Sequence, residues 1–166
     1  DTAVTPNALT RTISFEVTND GVTSGNTTTK QVSVTDTDQT PIVTTSSSAP
    51  NYIEGAPAIT IDSGVSVSDL DNTTQSSGTV SISTGFHSGD SLSFTNTSSA
   101  TFGNIAASYN AATGVLTLTS SGATATDVQW GHALSAVTFS STSTTLGSRT
   151  ISFATSDGAK TSAAAT

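Results

Sequence analysis

Apolar and polar residues alternate along most of this chain, in short runs separated by Gly, Asn, Asp and Pro. Ile13 and Phe15 share one face of a predicted strand, and Val32 and Val34 share a face of the next. Period-two alternation is typical of strands that bury one face. Beyond Pro41 such strands recur at intervals of about ten residues. The pattern therefore predicts an all-β fold, an antiparallel β-sandwich.

The second part of the chain contains most of the predicted strands and one predicted helix. The strands lie at residues 42–43, 65–68, 79–83, 92–94, 115–118 and 137–139. The helix is predicted to begin at Thr126, because Gln129 follows three residues later as in a capping box. Trp130, Ala133 and Leu134 would then share one helical face. A lone Trp at such a position is expected in the core rather than on a sugar-stacking surface.

The stretch Arg149-Thr-Ile-Ser-Phe153 repeats Arg11-Thr-Ile-Ser-Phe15, which lies 138 positions earlier (149 − 11). Asp-Gly follows both copies at nearly the same distance, and a period of this size is one domain long. We therefore predict a slice of a tandem array and expect the two copies to lie in similar settings. Aligning the copies leaves the second without a strand that would match residues 30–34.

The predicted domain boundary lies at the acidic stretch Asp36-Thr-Asp38, which a Pro follows at position 41. Residues 1–40 are predicted to be the C-terminal strand hairpin of a preceding repeat, or strands donated to a neighbour, together with an acidic linker. Residues 41–166 are predicted to be one sandwich repeat that lacks its last strand. A hairpin alone cannot bury a core, so we expect the N-terminal strands to pack on something else.

Charge and composition exclude several classes of function. Twelve acidic residues against four basic ones give a net charge of −8, which disfavours nucleic acid and anionic membranes as partners. The chain has no Cys, hence no disulfide framework or thiolate metal site. No apolar run approaches the ~20 residues of a membrane-spanning helix. His87 and His132 are the two histidines, and no nucleophile is specifically paired with either, so we expect no enzyme.

The acidic residues favour a divalent cation. Calcium takes about six to eight oxygen ligands, mainly carboxylates and carbonyls. Asp36 and Asp38 lie in the predicted junction, and Asp69 and Asp71 lie at the end of a predicted strand. Glu54 is a further candidate ligand, there or at the opposite end of the domain. The alternative is that these acids are solvated turn residues, since Asp is common in turns.

A series of motifs in the second part of the chain resembles a known family. In order, the motifs are Tyr52-x-Glu54-Gly, Val67-Ser-Asp69-x-Asp71, Ser88-Gly-Asp90-x-Leu92-x-Phe94, Tyr109-Asn-Ala-Ala-Thr-Gly114, Gln129-Trp130 and Arg149-Thr-Ile-Ser-Phe153. The series resembles the cadherin-like, immunoglobulin-like tandem repeats of large bacterial surface adhesins of the RTX type. The resemblance implies an extracellular module on a bacterial cell surface that extends, links or adheres. It also implies stiffening by calcium at the domain junctions.

Two other functions remain open from the sequence. The chain could be a subunit of a self-assembling extracellular filament or surface layer, with identical subunits joined head-to-tail by strand donation. It could instead be a carbohydrate-binding module. The partners expected from these possibilities are neighbouring repeats, identical subunits, or host and surface glycans.

Overall fold

The computed structural model describes residues 9–19, 21–23, 27–35 and 37–166 of the chain. The chain divides into two compact units, the first ending at Asp38 and the second running from Gln39 to Thr166. All strand pairs found in either unit are antiparallel. The prediction of an antiparallel, all-β protein is therefore confirmed.

The first unit consists of two short hairpin ladders. Strand β1 (Arg11–Phe15) pairs with β4 (Thr28–Val32), and β2 (Thr18–Asn19) pairs with β3 (Val22–Thr23). No side chain described in this unit is buried. Four apolar side chains in or next to its strands remain between 45% and 74% exposed: Ile13, Phe15, Val17 and Val32.

The second unit contains nine strands and two helices among its residues. The strands are β5 (Ile42–Thr44), β6 (Ile59–Thr60), β7 (Ser66–Ser68), β8 (Ser77–Thr84), β9 (Asp90–Ser93), β10 (Ile105–Asn110), β11 (Val115–Ser120), β12 (Thr138–Ser141) and β13 (Thr150–Ser156). The helices are α1 (Ser99–Phe102) and α2 (Asp127–Ser135), with a 3₁₀ turn at Ser121–Ala123. Neither helix has the length and apolar character needed to cross a membrane.

The strands of the second unit form three sheets. Four strands pair in the order β10-β11-β8-β13, three pair in the order β6-β12-β9, and β5 pairs with β7. Side chains from all three sheets and from α2 join one buried core. Its largest fully buried members include Trp130, Leu92, Leu116, Leu118 and Leu134. Sheets that share one core in this way are consistent with the predicted sandwich.

The predicted helix forms as expected. The Thr126 hydroxyl accepts the Gln129 N–H at 3.3 Å, and Gln129 Oε1 accepts the Thr126 N–H at 3.0 Å, which completes the capping box. The prediction of a single helix is wrong, because α1 is a second one. This one-turn helix is capped by Ser98, whose side chain accepts the Thr101 N–H. One turn is too short to produce a helical pattern of apolar residues.

Helix α2 packs on β7, and its Trp130 side chain reaches β8 of the four-stranded sheet. Trp130 is fully buried, and its indole N–H donates to the Gln75 carbonyl at 3.0 Å. The ring lies so close to β8 that a Cβ at Gly78 would come within 2.8 Å of Cζ3. The core position predicted for Trp130 is confirmed.

The two copies of the repeated stretch share one equivalent residue pair in different surroundings. Phe15 pairs with Thr28 in the first unit, and Phe153 pairs with Ala165 in the second, which is the register that aligning the copies gives. Phe15 is 54% exposed, however, whereas Phe153 is 2% exposed. The expectation of similar settings is therefore wrong for burial. Only the second copy lies over a core.

Candidate functional site

Asp69 and Asp71 follow β7 directly, at the start of a loop. The Asp71 N–H lies 3.4 Å from Asp69 Oδ1, and Asp71 Oδ2 accepts the N–H of Gln39 at 2.9 Å. Both carboxylates thus belong to one local arrangement, beside the first residue of the second unit. Both acids thus lie at the end of a strand, as the sequence predicts, and their role as metal ligands stays a prediction.

Two residues that are distant in sequence complete this arrangement. Gln75 is fully buried, and its side-chain amide donates to Asp69 Oδ2 at 3.3 Å and to Asp127 Oδ1 at 3.0 Å. Asp127 is the first residue of α2, and its N–H donates to the Thr73 carbonyl at 3.1 Å. Asp69, Asp71, Gln75 and Asp127 together are called the acidic cluster below.

The acidic cluster contains shielded oxygens that no described residue satisfies. Asp71 Oδ1 and Gln75 Oε1 are buried and have no hydrogen-bond partner within the described part of the chain. Burial raises the pKa of Asp127, and the negative charge of Asp69 raises it further. Hydrogen bonds from Gln75 and from the Asp69 backbone offset this only in part, so the pKa stays above its ordinary value.

These features fit a hard cation chemically. Carboxylate and amide oxygens are the ligands that calcium prefers, and a positive charge would relieve the repulsion between Asp69 and Asp127. Within the described ranges, however, no three acidic or histidine side chains are grouped as around a bound metal ion. The acidic cluster thus offers a donor set without the converged geometry of a complete site.

The other predicted ligands are Asp36, Asp38 and Glu54. Asp38 belongs to the first unit, and Asp36 lies outside the described residues. Glu54 lies in an exposed turn and lines a groove to which neither Asp69 nor Asp71 contributes. Sequence reasoning missed Gln75 and Asp127, because Gln75 carries no local signal and Asp127 follows a helix cap.

A second charged group connects the sheets. Asp90 accepts hydrogen bonds from Arg149 Nε at 3.0 Å, from the Ser141 hydroxyl at 2.6 Å and from the His87 N–H at 2.9 Å. Burial raises the pKa of Asp90, but these hydrogen bonds and the charge of Arg149 outweigh it, and the pKa lies below its ordinary value. The carboxylate is fully shielded and internally satisfied, so it forms a structural ion pair that links β9, β12 and the residue before β13.

His87, His132 and Trp130 are the residues that could suggest catalysis or sugar binding, and each makes contacts within the fold. His87 takes part in the turn that holds Asp90, and the exposed His132 places Nδ1 3.3 Å from the Thr101 carbonyl. Trp130 offers no face to a sugar ring, because its side chain is buried. Comparison of the chain with protein-family models, curated proteins and solved structures finds no match.

Proposed function

We propose that this chain is a non-enzymatic structural module, part of a tandem array on the surface of a bacterium. Its work is to extend, link or adhere, and its fold is of the immunoglobulin or cadherin type. One observation carries the proposal: the same five residues begin the same hairpin register twice, a domain's length apart. A repeat whose period is the length of a domain supports a tandem array, and an array of domains provides length and spacing.

Calcium is the proposed stiffening ion, and the acidic cluster is where it would bind in the second unit. The residues that would hold it are Asp69, Asp71 and Asp127, with the side-chain oxygen of Gln75. They lie beside Gln39, where the second unit begins. An ion bound there would restrict the start of this unit and so limit bending at a junction.

The calcium proposal predicts that the effect of Asp127→Asn on thermal stability differs without and with calcium. The raised pKa of Asp127 means that its ionised form disfavours folding, a cost that grows as pH rises through the folded-state pKa. Without calcium at neutral pH, Asp127→Asn should therefore leave the melting temperature unchanged or raise it. With calcium, the wild-type chain should be stabilised by about 2.7 kcal/mol at a concentration of 100 Kd, and the variant should lose this gain.

Thermal melts in excess calcium and in EDTA provide the measurement. Asp71→Asn should lose the calcium response in the same way, and Glu54→Gln is the matched control because Glu54 lies away from the acidic cluster. A wild-type melting temperature that is identical in calcium and EDTA would refute the calcium site.

The structural function is tested by joining two copies of the sequence in one chain. Small-angle X-ray scattering should show a maximum dimension that increases by nearly the length of one unit. Calcium should narrow the distribution of dimensions, and the Asp127→Asn pair should not respond. A two-copy chain that collapses to the dimension of a single unit would contradict an extending role.

A further inference from the structure

Strand β10 forms one edge of the four-stranded sheet, at the opposite side from β13. Its residues pair with β11 without interruption, from Ile105 opposite Ser120 to Asn110 opposite Val115. Among the described residues, no other strand or isolated bridge pairs with β10. The outer side of β10 is therefore a free strand edge.

The hydrogen bonds of the neighbouring strand show which backbone groups face this edge. The Ser120 N–H donates to the Ser76 carbonyl at 2.9 Å, so Ser120 directs its backbone groups toward β8 and not toward β10. Ile105, which lies opposite Ser120, therefore faces the free edge. Because every second residue of an antiparallel strand faces the same side, Ala107 and Tyr109 face it too. In the described part of the chain, no backbone group binds either residue there.

The free edge of β10 lacks the features that commonly protect edge strands from pairing. Such strands usually carry Lys, Pro, a β-bulge or an inward-pointing charge. Strand β10 contains no charged residue and no Pro, and its ladder with β11 has no bulge. The side chains of Ala106, Ala107 and Ser108 are small and exposed, so the backbone of another strand can approach closely.

The distribution of charge allows a second copy of this chain to approach the free edge. Residues 91–126, which include β10 and β11, contain no Asp, Glu, Lys or Arg. The twelve acidic residues, which outnumber the basic ones and give a net charge of −8, all lie outside this segment. Two copies of an acidic chain repel each other, and this repulsion is weakest where neither surface carries charge.

The free edge is complementary to itself in one antiparallel register. A two-fold axis at Ser108 places Ala107 of one copy opposite Tyr109 of the other, and these residues would exchange both N–H···O=C bonds. The small Ala107 side chain would lie opposite the large Tyr109 side chain, and Ser108 opposite itself. An axis at Ala107 would bring Ile105 into the contact, but the Ile105 carbonyl already accepts the Asn96 side-chain amide at 3.0 Å.

We propose that the outer edge of β10 pairs with the same edge of a second copy of this chain, around a two-fold axis at Ser108. The partner is a second copy because the edge is uncharged and complementary to itself. The same surface serves both copies, so the contact closes as a dimer. It joins the two four-stranded sheets into one continuous sheet. This side-by-side contact goes beyond the proposed function, which concerns the extension of a single array.

Residue 108 allows a test that is specific to this register, because the axis places it opposite itself. In the full-length chain, Ser108→Lys and Ser108→Glu should each weaken self-association, since like charges directly opposite each other are unfavourable. Mixed in equal amounts, the two variants should form a one-to-one complex, because opposite charges then face each other. Thr79→Lys is the matched control, since Thr79 is exposed on the same face of the sheet but lies in β8, two strands from the edge.

A second variant tests the backbone hydrogen bonds of the contact. Ala107→Pro removes the N–H that faces the free edge, and it removes no hydrogen bond to β11, so the strand should tolerate it. Ala107→Ser keeps the N–H and is the control for this variant.

Size-exclusion chromatography with light scattering over a concentration series measures association. The wild-type chain, Thr79→Lys and Ala107→Ser should form dimers as concentration rises. Ser108→Lys, Ser108→Glu and Ala107→Pro alone should associate at least about tenfold more weakly, which corresponds to about 1.4 kcal/mol. Restored association in the mixture of the two charged variants would also show that both are folded.

Two outcomes would overturn the inference. A wild-type chain that stays monomeric throughout the series would show that the edge takes no second copy. Association of Ser108→Lys that equals that of wild type would show that another surface is used. The calcium melts do not depend on this contact, so either result would leave the proposed function to be judged separately.

Discussion

Arg149, the first residue of the second repeated stretch, is held by hydrogen bonds at both ends of its guanidinium. Nε and Nη2 bind the Asp90 carboxylate, and Nη1 and Nη2 bind the carbonyls of Gly147 and Thr145. The Asp90 side chain is fully shielded, and that of Arg149 is 11% exposed. A buried carboxylate needs this degree of compensation, because an unpaired charge in the interior is strongly unfavourable.

Asp90→Asn should lower the free energy of unfolding by about 3 kcal/mol, since it leaves the Arg149 guanidinium without its counter-charge. Chemical denaturation at neutral pH measures this loss. Glu54→Gln serves as the control, because Glu54 is exposed. A loss of unfolding free energy no larger than that of Glu54→Gln would mean that the ion pair makes no net contribution to stability.

The same carboxylate predicts part of the acid sensitivity. The folded-state pKa values of Asp90 and Asp62 both lie below the ordinary 3.8. Each therefore stabilises the fold above that value and loses its contribution as pH falls from about 3.8 toward the folded-state pKa. The free energy of unfolding, measured from pH 6 to pH 2, about the range of carboxyl titration, should decrease less steeply for Asp90→Asn than for wild type.

At the scale of elements, the contact between β8 and α2 depends on the missing side chain of Gly78. A Cβ there would lie 2.8 Å from the Trp130 ring and 3.1 Å from the Ala154 carbonyl. Neither neighbour can move freely, since the ring is buried and the carbonyl belongs to β13. Gly78→Ala should therefore destabilise the second unit by about 1–3 kcal/mol through overpacking.

Gly131 provides the matched control for Gly78→Ala. It is a buried glycine on α2, and a Cβ there would make ordinary contacts of 3.5 Å or more. Gly131→Ala should be neutral or stabilising by up to about 1 kcal/mol, because Ala favours the helix over Gly. Denaturation curves of both variants check this, and equal effects would show that the indole is not the constraint.

Short-range sequence patterns explain which features of these strands and helices could be predicted. The Thr126–Gln129 capping box and the alternation of β11 depend on neighbours in sequence, and both were predicted. The Gln75–Asp127 contact was not, because it joins residues 52 positions apart and requires the fold to be known. The repeated stretch predicted the hairpin register at Phe153. The burial of Phe153 was not predictable, because it depends on a core that short-range patterns do not specify.

At the scale of the whole chain, the two units differ in how much core they have. The second has a continuous buried cluster, whereas no described side chain of the first is buried. A short isolated hairpin is marginally stable in water. The second unit should therefore supply nearly all of the cooperative unfolding transition.

A chain of residues 39–166 alone should melt at the same temperature as the full chain. Differential scanning calorimetry of both chains measures this. A large loss of melting temperature in the shortened chain would mean that the first unit stabilises the second in the same molecule.

The close approach of the Trp130 ring to Gly78 has a consequence for finding diverged copies of the second unit. Because neither residue can change alone without a steric penalty or a void, substitution over time should leave the two together. The Ser- and Thr-rich surface is free to vary by comparison. A glycine in a strand, followed 52 positions later (130 − 78) by a tryptophan just after a capped helix start, would then identify such copies when overall identity has faded.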